Sequence, residues 1–188
     1  AQSGLAVSFA SGPLMWIVAL APLGFVLAMG FGLNKMSKGT LQILFWSFAI
    51  VMGLSMSTIF LRFTGESIAA TFFATAGAFA GLSLFGYTTK KDLSGMGTFL
   101  VMGVIGLLIA MVINMFLQSS TLALAVSFIG VLIFAGLTAY DTQRLKREYQ
   151  YLRGTEFAGK AVIMGALSLY LDFINMFLFL LRFMGSRE

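Results

Sequence analysis

Apolar runs of about 20 residues make up most of this chain, and each is long enough to cross a bilayer as a helix. Inside a bilayer the backbone finds no water, so only helices and closed barrels can span it, and uninterrupted apolar runs favour helices. We therefore predict an all-α integral membrane protein with one transmembrane domain over residues 1–188. Its six predicted spans are about Pro13–Leu33, Leu41–Leu61, Ser67–Gly86, Thr98–Leu117, Thr121–Tyr140 and Ala161–Leu181.

Composition supports this class and narrows the chemistry. The chain is 59% hydrophobic and 10% charged, whereas soluble domains are about 45–50% apolar and about 25% charged. It has no cysteine and no histidine, which excludes thiolate chemistry and removes the commonest general base and metal ligand. We predict no cofactor, no bound metal and no enzymatic activity.

The net charge of +5 is explained by membrane topology, not by nucleic-acid binding. Its basic residues lie in the connections between apolar runs and form no stripe interleaved with aromatic residues. Of the 12 lysines and arginines, nine lie on one side, in the first, third and fifth connections. Since cytoplasmic loops are enriched in lysine and arginine, these connections are predicted to be cytoplasmic and both termini non-cytoplasmic.

The start of the chain carries no visible signal peptide. Ala1–Gly12 has neither the charged region nor the apolar region of such a signal, and it is predicted to be a loop. We expect that a preceding segment, such as one further span, is missing from the sequence.

Asp172 is the one charge inside the last apolar run. An aspartate in mid-span costs about 2.5–3.5 kcal/mol, so it is expected to face the interior of the bundle and to have a function. Ser168 and Asn175 lie at i−4 and i+3 on the same helical face and could hydrogen-bond it.

Asp141 is the natural partner for Asp172. It follows Tyr140 at the predicted end of the fifth span, where a carboxylate opposes the helix dipole and needs compensation. Arg144 could supply this as an ordinary solvated ion pair. Alternatively, Asp141 pairs with Asp172, because the connection 141–160 joins their two spans.

Such a pair would act as a pH-controlled latch between two helices. Two carboxylates in one apolar site cannot both ionise cheaply, so they share a proton and repel each other when both are charged. With an aqueous path the latch would gate cation flow. Carboxylate oxygens suit Ca²⁺, although two aspartates alone make a transit site and not a tight one.

Three segments resemble the Bax inhibitor-1/YccA-like family of membrane proteins. These are GYTTKKDLS (Gly86–Ser94), GLTAYDTQRLK (Gly136–Lys146) and GALSLYLDFINMFLFLLRFMG (Gly165–Gly185), in the family's order and spacing. The resemblance implies a seven-helix fold with the last helix central, and the six predicted spans would then lack the first family helix. It also implies that Asp141 and Asp172 match the pH-sensing pair that closes a calcium-leak pore.

The chain departs from this family at a second latch. Some members carry an acidic residue and an arginine in and after the second span, whereas residues 23–38 here offer only Asn34, Lys35 and Lys38. Bacterial members are also associated with the membrane protease FtsH and its modulators. We expect the protein to lie in the bacterial inner membrane. Its expected partners are the membrane lipids, Ca²⁺ or protons in transit, and a membrane protein.

Three functions remain for the pair. The first is a pH-sensitive Ca²⁺ leak channel, and the second is a non-transporting accessory subunit such as an FtsH modulator. The third, an intramembrane aspartyl protease, is disfavoured because that family's GxGD motif is replaced here by Leu169–Asp172 (LYLD). Bulky side chains stand where glycines would admit a substrate backbone.

Overall fold

The computed structural model describes residues 24–26, 28–32 and 35–186 of the chain. The first predicted span, Pro13–Leu33, therefore lies largely outside the described residues, although 24–26 and 28–32 are helical. Five long helices follow, and no strand occurs within the described ranges. They are α1 (Lys38–Met56, continued by a 3₁₀ helix at Ser57–Leu61), α2 (Gly65–Thr88), α3 (Ser94–Leu117), α4 (Ser120–Leu152) and α5 (Ala158–Met184).

All five helices are long and apolar enough to cross a membrane, so the predicted class of all-α integral membrane protein is confirmed. Many of the large apolar side chains are exposed on the protein surface, such as Phe73, Phe99 and Phe116 at 73%, 75% and 84%. Water would disfavour such a surface, whereas lipid tails suit it. The seven-helix count stays a prediction.

Three of the helices are capped at their N-terminus by a hydroxyl side chain. Ser37 accepts from the Thr40 backbone N–H before α1, and Thr64 accepts from the Ser67 N–H before α2. Ser119 accepts from the Leu122 N–H before α4. These side chains satisfy amides that have no partner within the helix. The connection between α3 and α4 is short. It consists of Gln118, in the left-handed conformation (φ 48°), and Ser119.

The chain divides into two compact units, residues 1–61 and 62–188. In the first unit, Leu41 and Phe48 of α1 are buried, and the Phe48 ring meets the Phe25 ring edge-on at 6.5 Å. In the second unit, α4 packs against α2, α3 and α5, while α5 packs mainly against α4 and α2. The central position of the last helix stays a prediction.

Large apolar side chains and one close backbone approach hold the second unit together. Its core includes Leu137 and Met176, and the rings of Phe134 and Phe179 stack with centroids 5.8 Å apart. A Cβ at Gly86 would collide with the Ala139 carbonyl group. Helix α2 therefore touches the backbone of α4 one turn or less from Asp141.

The helix that contains Asp141 does not end at Tyr140, where the apolar run ends. Helix α4 continues for three more turns to Leu152, and only residues 153–157 connect it to α5. The extension (DTQRLKREYQYL) contains no glycine or proline and is rich in good helix formers. Leu145 also packs against Gly165 of α5, where a Cβ would lie 2.6 Å from the leucine side chain. Asp141 is thus inside a helix, and the predicted conflict with a helix C-terminus does not arise.

Candidate functional site

The two predicted aspartates lie opposite each other on packed helices. Asp141 on α4 is 7% exposed and Asp172 on α5 is 4% exposed. The two carboxyl groups are close enough to interact with each other. An ionised carboxylate can only accept hydrogen bonds, so a hydrogen bond between these two groups would need a proton on one of them.

Arg144 also contacts this pair. Its Nη2 atom lies 3.3 Å from Asp141 Oδ1, one helical turn away on α4. The same nitrogen donates to the Ser168 hydroxyl of α5 at 3.4 Å, and the guanidinium lies over the Tyr140 ring at 5.7 Å. The ion pair between Arg144 and Asp141 is therefore present, and the latch formed by Asp141 and Asp172 stays a prediction.

The other polar side chains of α5 do not surround Asp172 as the helical spacing suggested. Asn175 donates its Nδ2 hydrogen to the Leu171 carbonyl of its own helix at 2.8 Å, and Ser168 accepts from Arg144. Asp172 Oδ2 is buried and has no hydrogen-bond partner in the described part of the chain. A polar atom in that condition is costly, and it marks a place where water or a cation would be stabilised.

A second buried oxygen without a described partner belongs to Ser83 of α2. Ser83 is one turn from Phe79, whose ring meets Phe173 at 5.4 Å, and Phe173 follows Asp172 in sequence. The sequence offered no signal for Ser83, because a serine in an apolar helix usually bonds its own backbone. Its hydroxyl adds a polar group on α2, at about the height of Asp172 in the bundle.

Sequence reasoning also missed Gln143, which joins α4 to the loop between α2 and α3. Gln143 is 7% exposed. Its Oε1 accepts from the Leu93 backbone N–H at 2.9 Å, and its Nε2 donates to the Lys91 carbonyl at 2.8 Å. Arg147 adds bonds to Gln143 Oε1, to the Ser94 hydroxyl and to Asp92. The extension of α4 thus fixes this basic loop close to Asp141.

Replacing Gln143 by alanine is expected to loosen that loop. The Leu93 N–H and Lys91 carbonyl would lose their side-chain partner, at about 1–3 kcal/mol for a buried orphaned group. Trypsin cleavage after Lys90 or Lys91 should accelerate by about tenfold, since each 1.4 kcal/mol changes a local opening equilibrium tenfold. Exposed Gln150 on the same helix provides the control Gln150→Ala. Equal cleavage rates in the wild type and Gln143→Ala would contradict this role.

The contribution of Asp92 to the stability of the fold is expected to depend on pH only in the acidic range. Its pKa is lowered from 3.8 to about 2 by the Ser94 backbone N–H, the Ser94 hydroxyl and the Arg147 guanidinium, in that order. Because the pKa is depressed in the folded state, the stabilisation is complete above about pH 4 and disappears as the pH falls through about 2. The melting temperature of wild type should therefore exceed that of Asp92→Asn by a constant amount between about pH 5 and pH 8. A difference that changes within that window would contradict the assignment.

No group of three or more His, Cys, Asp or Glu side chains that could hold a metal ion occurs among the described residues. The two aspartates with one buried free oxygen can offer a cation only a few ligands. A tight Ca²⁺ site uses six to eight oxygens.

Comparison with known proteins gives one consistent family. The family model for the inhibitor of apoptosis-promoting Bax1 matches residues 1–188. An uncharacterized protein of Caulobacter vibrioides is 54% identical over 178 residues, covering 94% of this chain and 71% of that protein. The inner membrane protein YbhL of Escherichia coli K12 is 48% identical over 171 residues, covering 90% and 73%. An uncharacterized protein of Borreliella burgdorferi is 43% identical over 188 residues, covering 100% and 81%. None of these names describes an enzyme, and the resemblance found in the motifs is confirmed.

Proposed function

This chain belongs to the Bax inhibitor-1/YccA-like family of multi-pass inner-membrane proteins, and from that premise we propose that it is a pH-sensitive cation leak pore. Asp141 and Asp172 form the latch of this pore. The observation that supports the proposal is the burial of two interacting carboxyl groups on packed helices, Asp141 on α4 and Asp172 on α5. One proton shared between them would form a hydrogen bond that joins the two helices.

The number of protons on the pair determines how strongly it holds the helices together. With one proton, the hydrogen bond is charge-assisted, and Arg144 neutralises the remaining negative charge. Without a proton, two carboxylates in an apolar site repel each other. With two protons, the pair loses the charge that Arg144 contacts. The singly protonated pair is therefore the closed latch.

Ca²⁺ is the cation that the site favours. Opening the latch would release carboxylate oxygens to a passing ion, and oxygen is the ligand that Ca²⁺ prefers. Asp172 Oδ2 already lacks a partner among the described residues. With so few ligands the ion would bind weakly and leave quickly, as conduction requires.

The latch would lie towards the cytoplasmic end of the pore. Asp141 is about three turns before the end of α4, and that end carries Arg144, Lys146 and Arg147. The positive-inside rule assigns this end to the cytoplasm, with the Arg62 and Arg182 end on the other face.

Ca²⁺ entry into liposomes loaded with a fluorescent indicator tests the proposal. The purified chain should admit Ca²⁺ faster than protein-free liposomes, and the rate should rise with pH as the pair loses its shared proton and the two carboxylates repel each other. Entry equal to that of protein-free liposomes at every pH would contradict a pore.

A non-transporting accessory subunit of an inner-membrane assembly, such as an FtsH modulator, is the second candidate. The extension of α4 favours it, because this extension presents Tyr149 and Tyr151, which are 49% and 88% exposed, beside basic residues. Aromatic residues are enriched at protein interfaces. A stoichiometric partner co-purified from native membranes by a chain that carries no Ca²⁺ flux would favour this function.

A further inference from the structure

A cavity of about 670 Å³ lies in the second unit, at the end opposite the aspartate pair. Ser120, the first residue of α4, lines it, and Asp141 is about 30 Å further along the same helix axis. Two arginines also line it, Arg62 before α2 and Arg182 in the last turn of α5. No carboxylate lines it.

The two arginines have no anionic partner in the part of the chain that the structure describes. The ion pairs found there join Arg144 to Asp141 and Arg147 to Asp92. Arg62 and Arg182 instead repel each other electrostatically, and the contact of Arg182 with the Phe179 ring at 5.7 Å offsets this only in part. Both arginine side chains are exposed, and the positive potential of two adjacent like charges favours an anion between them.

The remaining polar groups of the cavity also suit an anion. Asn114 uses its Oδ1 to accept from the Ser119 N–H at 3.0 Å, which leaves its Nδ2 hydrogens as the groups it can donate. The Ser120 hydroxyl stands at the start of α4, where helix amides favour negative charge. The rest of the lining is largely apolar, with Met111, Met115 and Phe183.

We propose that this cavity binds a phosphate group through Arg62 and Arg182. Guanidinium groups form paired hydrogen bonds with phosphate oxygens, which makes arginine well suited to this ligand. The apolar lining fits the phosphate of an anionic phospholipid, whose acyl chains would cover Met111 and Phe183. Inorganic phosphate offers the same chemistry without the acyl chains. This site is independent of the proposed pore.

Native mass spectrometry of the full chain in detergent tests the site with two probes, phosphatidylglycerol and inorganic phosphate. Wild type should retain phosphatidylglycerol about 25-fold better than phosphatidylcholine, since each of the two basic residues favours a nearby anionic lipid about fivefold. Arg62→Gln and Arg182→Gln should each reduce that preference by at least about threefold. Arg153→Gln, which changes an exposed arginine between α4 and α5, should leave it unchanged.

The outcomes separate the two sources of phosphate and can also reject the site. Retention of phosphatidylglycerol identifies a lipid site, whereas saturable protection against thermal unfolding by phosphate, but not by chloride, identifies a site for the free anion. Arg182→Lys keeps the charge and should lose only part of the preference if the glutamine variants fail to fold. The proposal would be overturned if wild type preferred neither phosphatidylglycerol to phosphatidylcholine nor phosphate to chloride. Unchanged binding in folded Arg182→Gln would also overturn it.

Discussion

Replacing Asp172 by asparagine is expected to flatten the pH dependence of Ca²⁺ flux. Asparagine has nearly the same shape and still forms a hydrogen bond to Asp141, but it cannot exchange a proton. The pair would then have one titratable group instead of two coupled ones, and its repulsion at high pH would be absent. If the occupancy of one shared proton sets the rate, the wild-type flux should rise severalfold over the pH range in which that proton is lost, and the variant flux by less than about twofold over the same range.

Glu66→Gln is the matched control for this substitution. It also converts a carboxylate to an amide, but Glu66 is exposed in the first turn of α2, at the other end of that helix from Gly86. Its flux should keep the wild-type pH profile. Asp141→Asn should flatten the profile as Asp172→Asn does, because both aspartates belong to one titrating unit. A wild-type profile in Asp172→Asn would exclude the latch.

The burial of Asp141 and Asp172 on two packed helices was predictable because burial cost and chain connectivity both depend on the sequence alone. A carboxylate within an apolar span must face other protein groups, and consecutive helices joined by a short connection are usually neighbours. The contacts of Asn175 were not predictable in the same way. An asparagine on the right face can bond either the aspartate or its own backbone, and only the local side-chain geometry decides between them.

The end of α4 shows why hydropathy misplaced a boundary. The apolar run indicates where the membrane ends. The helix itself ends where its backbone hydrogen bonds end, at Leu152. The polar extension was therefore assigned to a connection, and Gln143 with its bonds to Leu93 and Lys91 was overlooked. A helical continuation could have been inferred from the run of good helix formers without glycine or proline.

The glycines show a similar limit. Gly77 and Gly81 form a GxxxG motif, which predicts a close helix contact, yet a Cβ at either would meet no atom within 4 Å. Close approaches lie instead at other glycines such as Gly86 and Gly130, where a Cβ would meet Ala139 and Phe179. Spacing indicates which glycines share a face, but not which face meets another helix.

Gly86→Val is accordingly expected to destabilise the protein more than any other single glycine replacement in α2. The atoms that a Cβ would meet belong to the Ala139 backbone, which cannot rotate away as a side chain can. Overpacking usually costs about 1–3 kcal/mol, and a rigid obstacle puts this site at the upper end. In a domain of this size that lowers the melting temperature by about 6–12 °C, measured on the chain in detergent.

Gly81→Val separates this contact from the general effect of valine in a helix. Both substitutions place a β-branched residue in α2, but Gly81 has open space around its Cβ position and should lose little stability. The displacement of α2 in Gly86→Val would also press on α4 beside Asp141, so its Ca²⁺ flux should change along with its stability. Equal melting temperatures for the two variants would mean that α2 and α4 are farther apart than the structure places them. A large loss in Gly86→Val alone would show that close backbone packing positions the helix that carries Asp141.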